Sequence, residues 1–151
     1  MGQRNPIRIL ALDGGGVGGL SSLILLRGLM ERVAVATDTS THERLTTRPS
    51  DYFDLIIGTG TGGICALFLG RLGMTIDSAI SSYQEVANTA FQPLNSLSRI
   101  SPLPLSHALQ PAILSQQIDK CVGSIIKRHL HDRNAAFADS AEGSHTCCTA
   151  W

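Results

Sequence analysis

Apolar positions along the chain alternate, then fall into helical spacing, and the sequence of events happens twice. Ile7-Arg8-Ile9-Leu10-Ala11-Leu12 is alternating and β-branched at its start, and it predicts a strand. Leu20, Leu23, Leu26, Met30 and Val33 then recur at the spacing of one helical face. Phe53-Asp54-Leu55-Ile56-Ile57 predicts a second strand. The following Ile64, Cys65, Leu67, Phe68, Leu69 and Leu72 are apolar almost all round, which suits a helix buried against a sheet. A glycine cluster separates each strand from its helix. These are Gly14-Gly15-Gly16-Val17-Gly18-Gly19 and Gly58-Thr59-Gly60-Thr61-Gly62-Gly63. Strand, glycine turn and helix in that order, twice, predict an α/β layer fold with a largely parallel sheet.

Further along, Ile76, Ile80, Tyr83, Ala87 and Ala90 predict an amphipathic helix, with Thr75 as its N-cap and Asp77 in its first turn. Residues 93–111 hold four of the six prolines and read as a long loop. Leu114, Ile118, Cys121, Val122, Ile125 and Ile126 stripe another helix, and Lys127, Arg128 and His129 sit where a helix C-terminus favours positive charge. His129 and His131 are two apart and do not share a helical face, so they suggest no metal site. His42, His107 and His145 have no partner at a telling distance. Asp132 to Ser144 is polar and turn-like, and Thr146 to Trp151 begins a last strand.

Composition narrows the picture without supplying a function. The 151 residues carry 12 basic and 12 acidic side chains, and the net charge of zero argues against nucleic acid as a partner. Apolar runs are short and interrupted, so no transmembrane segment is expected, nor a secretory signal at the start. Cys65, Cys121, Cys147 and Cys148 lack metal-ligand spacing and read as reduced thiols inside a cell, with no metal.

Glycine turns that open helices expose backbone N–H groups to negative charge. Dinucleotide binding uses them for a pyrophosphate, acyl transfer uses them for an oxyanion, and a tight turn can also be only a packing device. The dinucleotide reading, with flavin or nicotinamide as ligand, takes Gly14, Gly16 and Gly19 as G-x-G-x-x-G. Arg32 to Thr37 would then be the next strand and Asp38 the ribose acid. Gly58, Gly60 and Gly63 repeat the spacing. Against it stands Asp13, whose charge would face the anion, and the second turn lacks a following strand and acid because Asp77 opens a helix.

Leu12-Asp13-Gly14-Gly15-Gly16-Val17-Gly18-Gly19-Leu20-Ser21 resembles the opening glycine motif of patatin-like phospholipases. Asp51 to Ile64, with Gly58-Thr59-Gly60-Thr61-Gly62, resembles the nucleophile elbow of that family, and Gly70-Arg71-Leu72-Gly73-Met74 is in the same style. The likeness is nearly continuous through Phe91, above all to patatin-like domains of fungal multidomain proteins, and it returns loosely from Leu114. It implies a three-layer α/β/α patatin-like (lysophospholipase-like) fold, incomplete at its C-terminus. Residues 1–151 would be the N-terminal fragment of one such domain, with 93–111 a loop within it. The family hydrolyses lipid acyl esters with a Ser-Asp dyad and no cofactor. Carried over, Gly14, Gly15, Gly16, Gly18 and Gly19 correspond to the oxyanion-hole motif. Gly58, Thr59, Thr61 and Gly62 correspond to the elbow around position 60.

Three departures follow. Gly60 stands where the nucleophilic serine belongs, Gly18 stands where the family usually has arginine, and no later Asp-Gly-Ala or Asp-Gly-Gly motif supplies the dyad carboxylate. Thr59 and Thr61 carry hydroxyls, but a shift of one residue on a sharp turn redirects a side chain; Thr61 is expected to cap or pack at the helix start. The expectation is a patatin-like lipid acyl hydrolase domain impaired in catalysis, with lipid or phospholipid esters as partners. A non-catalytic remnant that binds lipid or protein is the other member of this reading. The expected setting is cytoplasmic, with peripheral membrane contact and self-association through an unpaired sheet edge.

Overall fold

A computed structural model describes residues 6–16, 18–36, 48–90, 110–131 and 146–150. Asp38, His42, His107, His145, Trp151 and nearly all of the proline-rich 93–111 stretch lie outside them. The order is β1 (Ile9–Leu12), α1 (Gly18–Ala36), a 3-10 turn (Pro49–Asp51), β2 (Leu55–Thr59), α2 (Thr61–Ala66), α3 (Ile76–Ala90), α4 (Gln110–Leu130) and β3 (Thr146–Ala150). A π-helical turn, Leu67–Arg71, continues α2.

The three strands are parallel in the order β1-β2-β3, with β2 in the centre. Ile9 pairs with Leu55 and Leu12 with Gly58, while Leu55 pairs with Thr146 and Thr59 with Ala150. Both strand-turn-helix units therefore start side by side and end side by side. That register brings the two glycine clusters, 45 residues apart in the chain, together at the carboxyl ends of the adjacent strands β1 and β2. At the other end the strands are clamped: Arg8 N–H donates to Asp54 Oδ2 at 2.7 Å, and Asp54 N–H donates to Arg8 O at 2.9 Å.

β1 alternates in burial, with Leu10 half-buried and Leu12 buried, while Ile9 and Ala11 on the opposite face are exposed. Leu12 and Ile56 join Leu23, Leu26 and Met30 of α1, Cys65, Phe68 and Leu69 after the second glycine cluster, Tyr83 and Val86 of α3, and Cys121 and Ile125 of α4 in one core. The α1 stripe is the expected one, with Leu20 and Val33 at its half-buried margins. In α3 the buried line runs through Ile76, Ala79, Tyr83 and Val86, with Ile80 and Ala87 half-buried at its side. The helix is turned by a residue relative to the sequence pattern because α1 and α4 both pack on it.

The structure corrects some boundaries. β2 starts two residues later than the Phe53 run and absorbs Gly58 and Thr59, because their backbones pair with β1 and β3. Gln110 and Pro111 are helical rather than loop, as proline suits a first helical turn whose N–H groups lack intrahelical partners anyway. Arg32 to Ala36 form the last turn of α1, not the strand that the dinucleotide reading requires.

Thr75 caps α3: its Oγ1 accepts the Ser78 N–H at 3.3 Å, and Asp77 lies in the first turn. Thr75→Ala is expected to lower stability by about 1 kcal/mol, measured as a shift of the urea midpoint at unchanged m. An unchanged midpoint would show that the cap is not formed in solution.

Candidate functional site

The site is built where the two glycine turns meet. β2 runs into Gly60, which has φ 52° and ψ −123°, and α2 begins at the next residue. An L side chain rarely adopts that backbone conformation, and glycine does so without strain. The turn is sharp because Gly58 and Gly62 have no Cβ: one on Gly58 would run into the Gly62 carbonyl, and one on Gly62 into the Leu12 carbonyl. Position 60 itself is roomy. A Cβ there would meet only the Gly14 Cα, at 3.7 Å, which is ordinary contact.

The first turn lies directly across. Gly14 N–H donates to Thr59 Oγ1 at 3.2 Å, and Gly15 N–H donates to Thr61 Oγ1 at 3.1 Å. The two threonines beside position 60 thus bind the opposite turn, and Thr61 does this rather than cap α2, whose N-cap makes no side-chain bond. Gly16 has φ 58°, and its carbonyl accepts from Gly19 N–H at 3.2 Å. Gly15 and Gly18 face open space, since a Cβ on either meets nothing within 4 Å. The absence of arginine at position 18 is therefore not forced by crowding.

Tyr83 was legible in the sequence only as one apolar position of α3, yet its hydroxyl donates to the Gly16 carbonyl. Burial raises its pKa above the ordinary tyrosine value, nearby Cys65 adds to that, and the hydrogen bonds from Thr61 and Gly19 N–H oppose it. The Cys65 thiol is buried in the core and pushed up to about 12 by desolvation, which keeps it a neutral thiol rather than a nucleophile. No signal in the chain distinguishes a buried tyrosine of this kind from a core aromatic.

The carboxylates are distributed unevenly. Asp13 adjoins the glycine turn and is exposed. Asp54 sits at the start of β2, six residues before Gly60, which puts about 20 Å of extended chain between them. Among the described residues no group of three His, Cys, Asp or Glu side chains could hold a metal, and no helix is long and apolar enough to cross a membrane.

A parallel sheet with a sharp strand-to-helix turn at the carboxyl end of its central strand, faced by a second glycine turn, defines an α/β layer protein. Residues 10–148 match the family model described as Patatin-like phospholipase, and the chain belongs to that family. Over 86 residues it is 37% identical to the calcium-independent phospholipase A2-gamma of Rattus norvegicus, covering 56% of this chain and 9% of the rat protein. It is 33% identical over 88 residues to the phospholipase A I of Arabidopsis thaliana, 58% of this chain and 6% of that protein. With the cGAMP-activated phospholipase of Vibrio cholerae the identity is 42% over 66 residues, 44% of this chain and 17% of that protein. The chain thus spans a small part of the length of these relatives. No solved structure matches it.

Proposed function

We propose that this chain carries the acyl-ester site of a lipid acyl hydrolase with its nucleophile position vacated. Lipid or phospholipid esters are the substrate class this reading assigns, and the site holds them without cleaving them. In this reading Gly14, Gly15, Gly16, Gly18 and Gly19 form the oxyanion turn, and Gly58, Thr59, Thr61 and Gly62 frame the elbow. The observation that carries it is Gly60: its backbone keeps the conformation an elbow demands and leaves room for a side chain, yet the sequence supplies none. Glycine has no atom that could form an acyl-enzyme. The order of motifs, glycine turn before elbow, supports reading these residues as the N-terminal part of a patatin-like domain. Exposed Ile7 and Ile9 beside the outer edge of β1 support self-association or peripheral contact with a membrane surface.

The threonines are the competing nucleophiles, and their hydroxyls are already engaged by Gly14 and Gly15. Incubation with a fluorophosphonate followed by intact-mass analysis is expected to leave the chain unmodified. A phosphonyl adduct mapped to Thr59 or Thr61 would overturn the assignment of a vacated site.

A further inference from the structure

The last glycine of the first turn is explained by a residue outside both motifs. A Cβ on Gly19 would land on the hydroxyl and ring of Tyr83. Tyr83 is 1% exposed, so its ring fills the core and its hydroxyl must find partners there. It finds them on the glycine turn and on the elbow together. The Gly15 N–H donates to Thr61 Oγ1 and the Tyr83 hydroxyl donates to the Gly16 carbonyl, which leaves the Thr61 hydroxyl proton for the neighbouring Tyr83 oxygen. Each hydroxyl has one proton to give, and in this chain each gives it once. The result is a closed relay that begins on one glycine of the turn and ends on the next.

We propose that Tyr83 is a positioning residue of the site, acting through Thr61 to fix the Gly15–Gly16 unit of the glycine turn against the elbow. The proposal rests on reading that turn as the anion-binding element. Gly15 and Gly16 need such a restraint. Gly15 has nothing near its Cα on the outer side, Gly16 has φ 58°, and glycine backbones lose the most freedom on ordering. Tyr83 itself is held in place by its helix. Asp77 of α3 pairs with Arg27 of α1 at 3.5 Å, and Glu85 pairs with Arg128 of α4 at 3.2 Å, so Tyr83 lies between two ties to neighbouring helices.

Amide hydrogen exchange measured by NMR on the whole chain tests this in Tyr83→Phe, Thr61→Val and the double variant. Phenylalanine keeps the ring and removes only the hydroxyl. In Tyr83→Phe the Gly15 amide is expected to exchange about tenfold faster. The Gly14 amide, held by Thr59, and the central amides of α4 keep their rates. At the Gly15 amide the double variant is expected to match Thr61→Val, because the acceptor of that amide is already gone there. An unchanged Gly15 amide, a uniform rise across Gly14 and α4, or a full further acceleration in the double variant would each overturn the proposal. If Tyr83→Phe fails to fold, the Tyr83 Cζ resonance decides in Thr61→Val: a shift supports the relay and an unmoved signal removes it. Exchange is read without turnover. A negative result therefore removes the role of Tyr83 and leaves the acyl-site reading standing, and an inactive chain leaves this test intact.

Discussion

Gly60→Ser is expected to leave the chain without normal ester turnover, and the unsubstituted chain is expected to show none. Removing the nucleophile from a constellation of this kind lowers kcat by about a millionfold. Restoring it alone is insufficient, because a serine hydroxyl stays protonated and weakly nucleophilic without an adjacent base. The geometry allows the side chain: the space beyond Gly60 reaches the Gly14 Cα at 3.7 Å, and the cost is the positive φ, on the order of 1–3 kcal/mol of stability. What the described residues do not provide is the second group. Asp54 is clamped to Arg8 at the far end of β2, and Thr59 and Thr61 are acceptors for the opposite turn. Hydrolysis of p-nitrophenyl butyrate and of phospholipid vesicles, followed in both proteins, checks this. Turnover in Gly60→Ser at the level of a complete hydrolase would mean that Asp13, beside the glycine turn, completes the dyad.

Alanine at Gly58 or Gly62 is expected to damage the fold far more than larger residues elsewhere in the same motifs. At both positions the new Cβ meets backbone, the Gly62 carbonyl in one case and the Leu12 carbonyl in the other. Backbone cannot rotate away as a side chain can, and these atoms belong to the paired strands and the start of α2. The expected loss is about 3 kcal/mol or more for each, which for a chain of this size lowers Tm by roughly 10 °C. Gly18→Arg, by contrast, enters open space at the first turn of α1 and is expected to stay within about 0.5 kcal/mol of the parent. Thermal denaturation followed by circular dichroism separates the two groups. Equal losses at positions 18 and 62 would show that the two turns do not pack as described.

The contrast shows which features the sequence exposes. Periodicity found β1, α1, β2, α3 and α4 because each has a strand run or a one-sided apolar stripe, and β3 was visible as a short run after a polar stretch. The two glycine clusters announced the turns because glycine adopts φ 52° at position 60 without strain and its missing Cβ allows the close approach of Gly62 to Leu12. Their meeting at the carboxyl ends of the strands was implied by parallel order, but the register pairing Leu12 with Gly58 was not. The π-helical turn was hidden, because Leu67, Phe68 and Leu69 are buried in any helical geometry. It shows in the bond from Leu72 N–H to Leu67 O at 3.0 Å. The threonine contacts and Tyr83 were hidden for a different reason. They depend on distances of 45, 46 and 67 residues in sequence, which local pattern does not encode. The β-branched valines of the Arg32 to Thr37 run allowed the strand of the dinucleotide reading, and packing of Met30 and Ala34 on the core goes with the helical residues 32–36.

Phosphonate labelling of Gly60→Ser beside the unsubstituted chain, with the adduct mapped by peptide mass, tests the vacated nucleophile position most directly. It needs only a hydroxyl placed over the glycine turn, not a complete dyad, and so separates the elbow from the missing base. Slow labelling at residue 60 alone, absent from the unsubstituted chain, is the predicted result. A variant that stays unlabelled while folded, or an adduct at the same residue in both proteins, would contradict the assignment of Gly60 to the elbow.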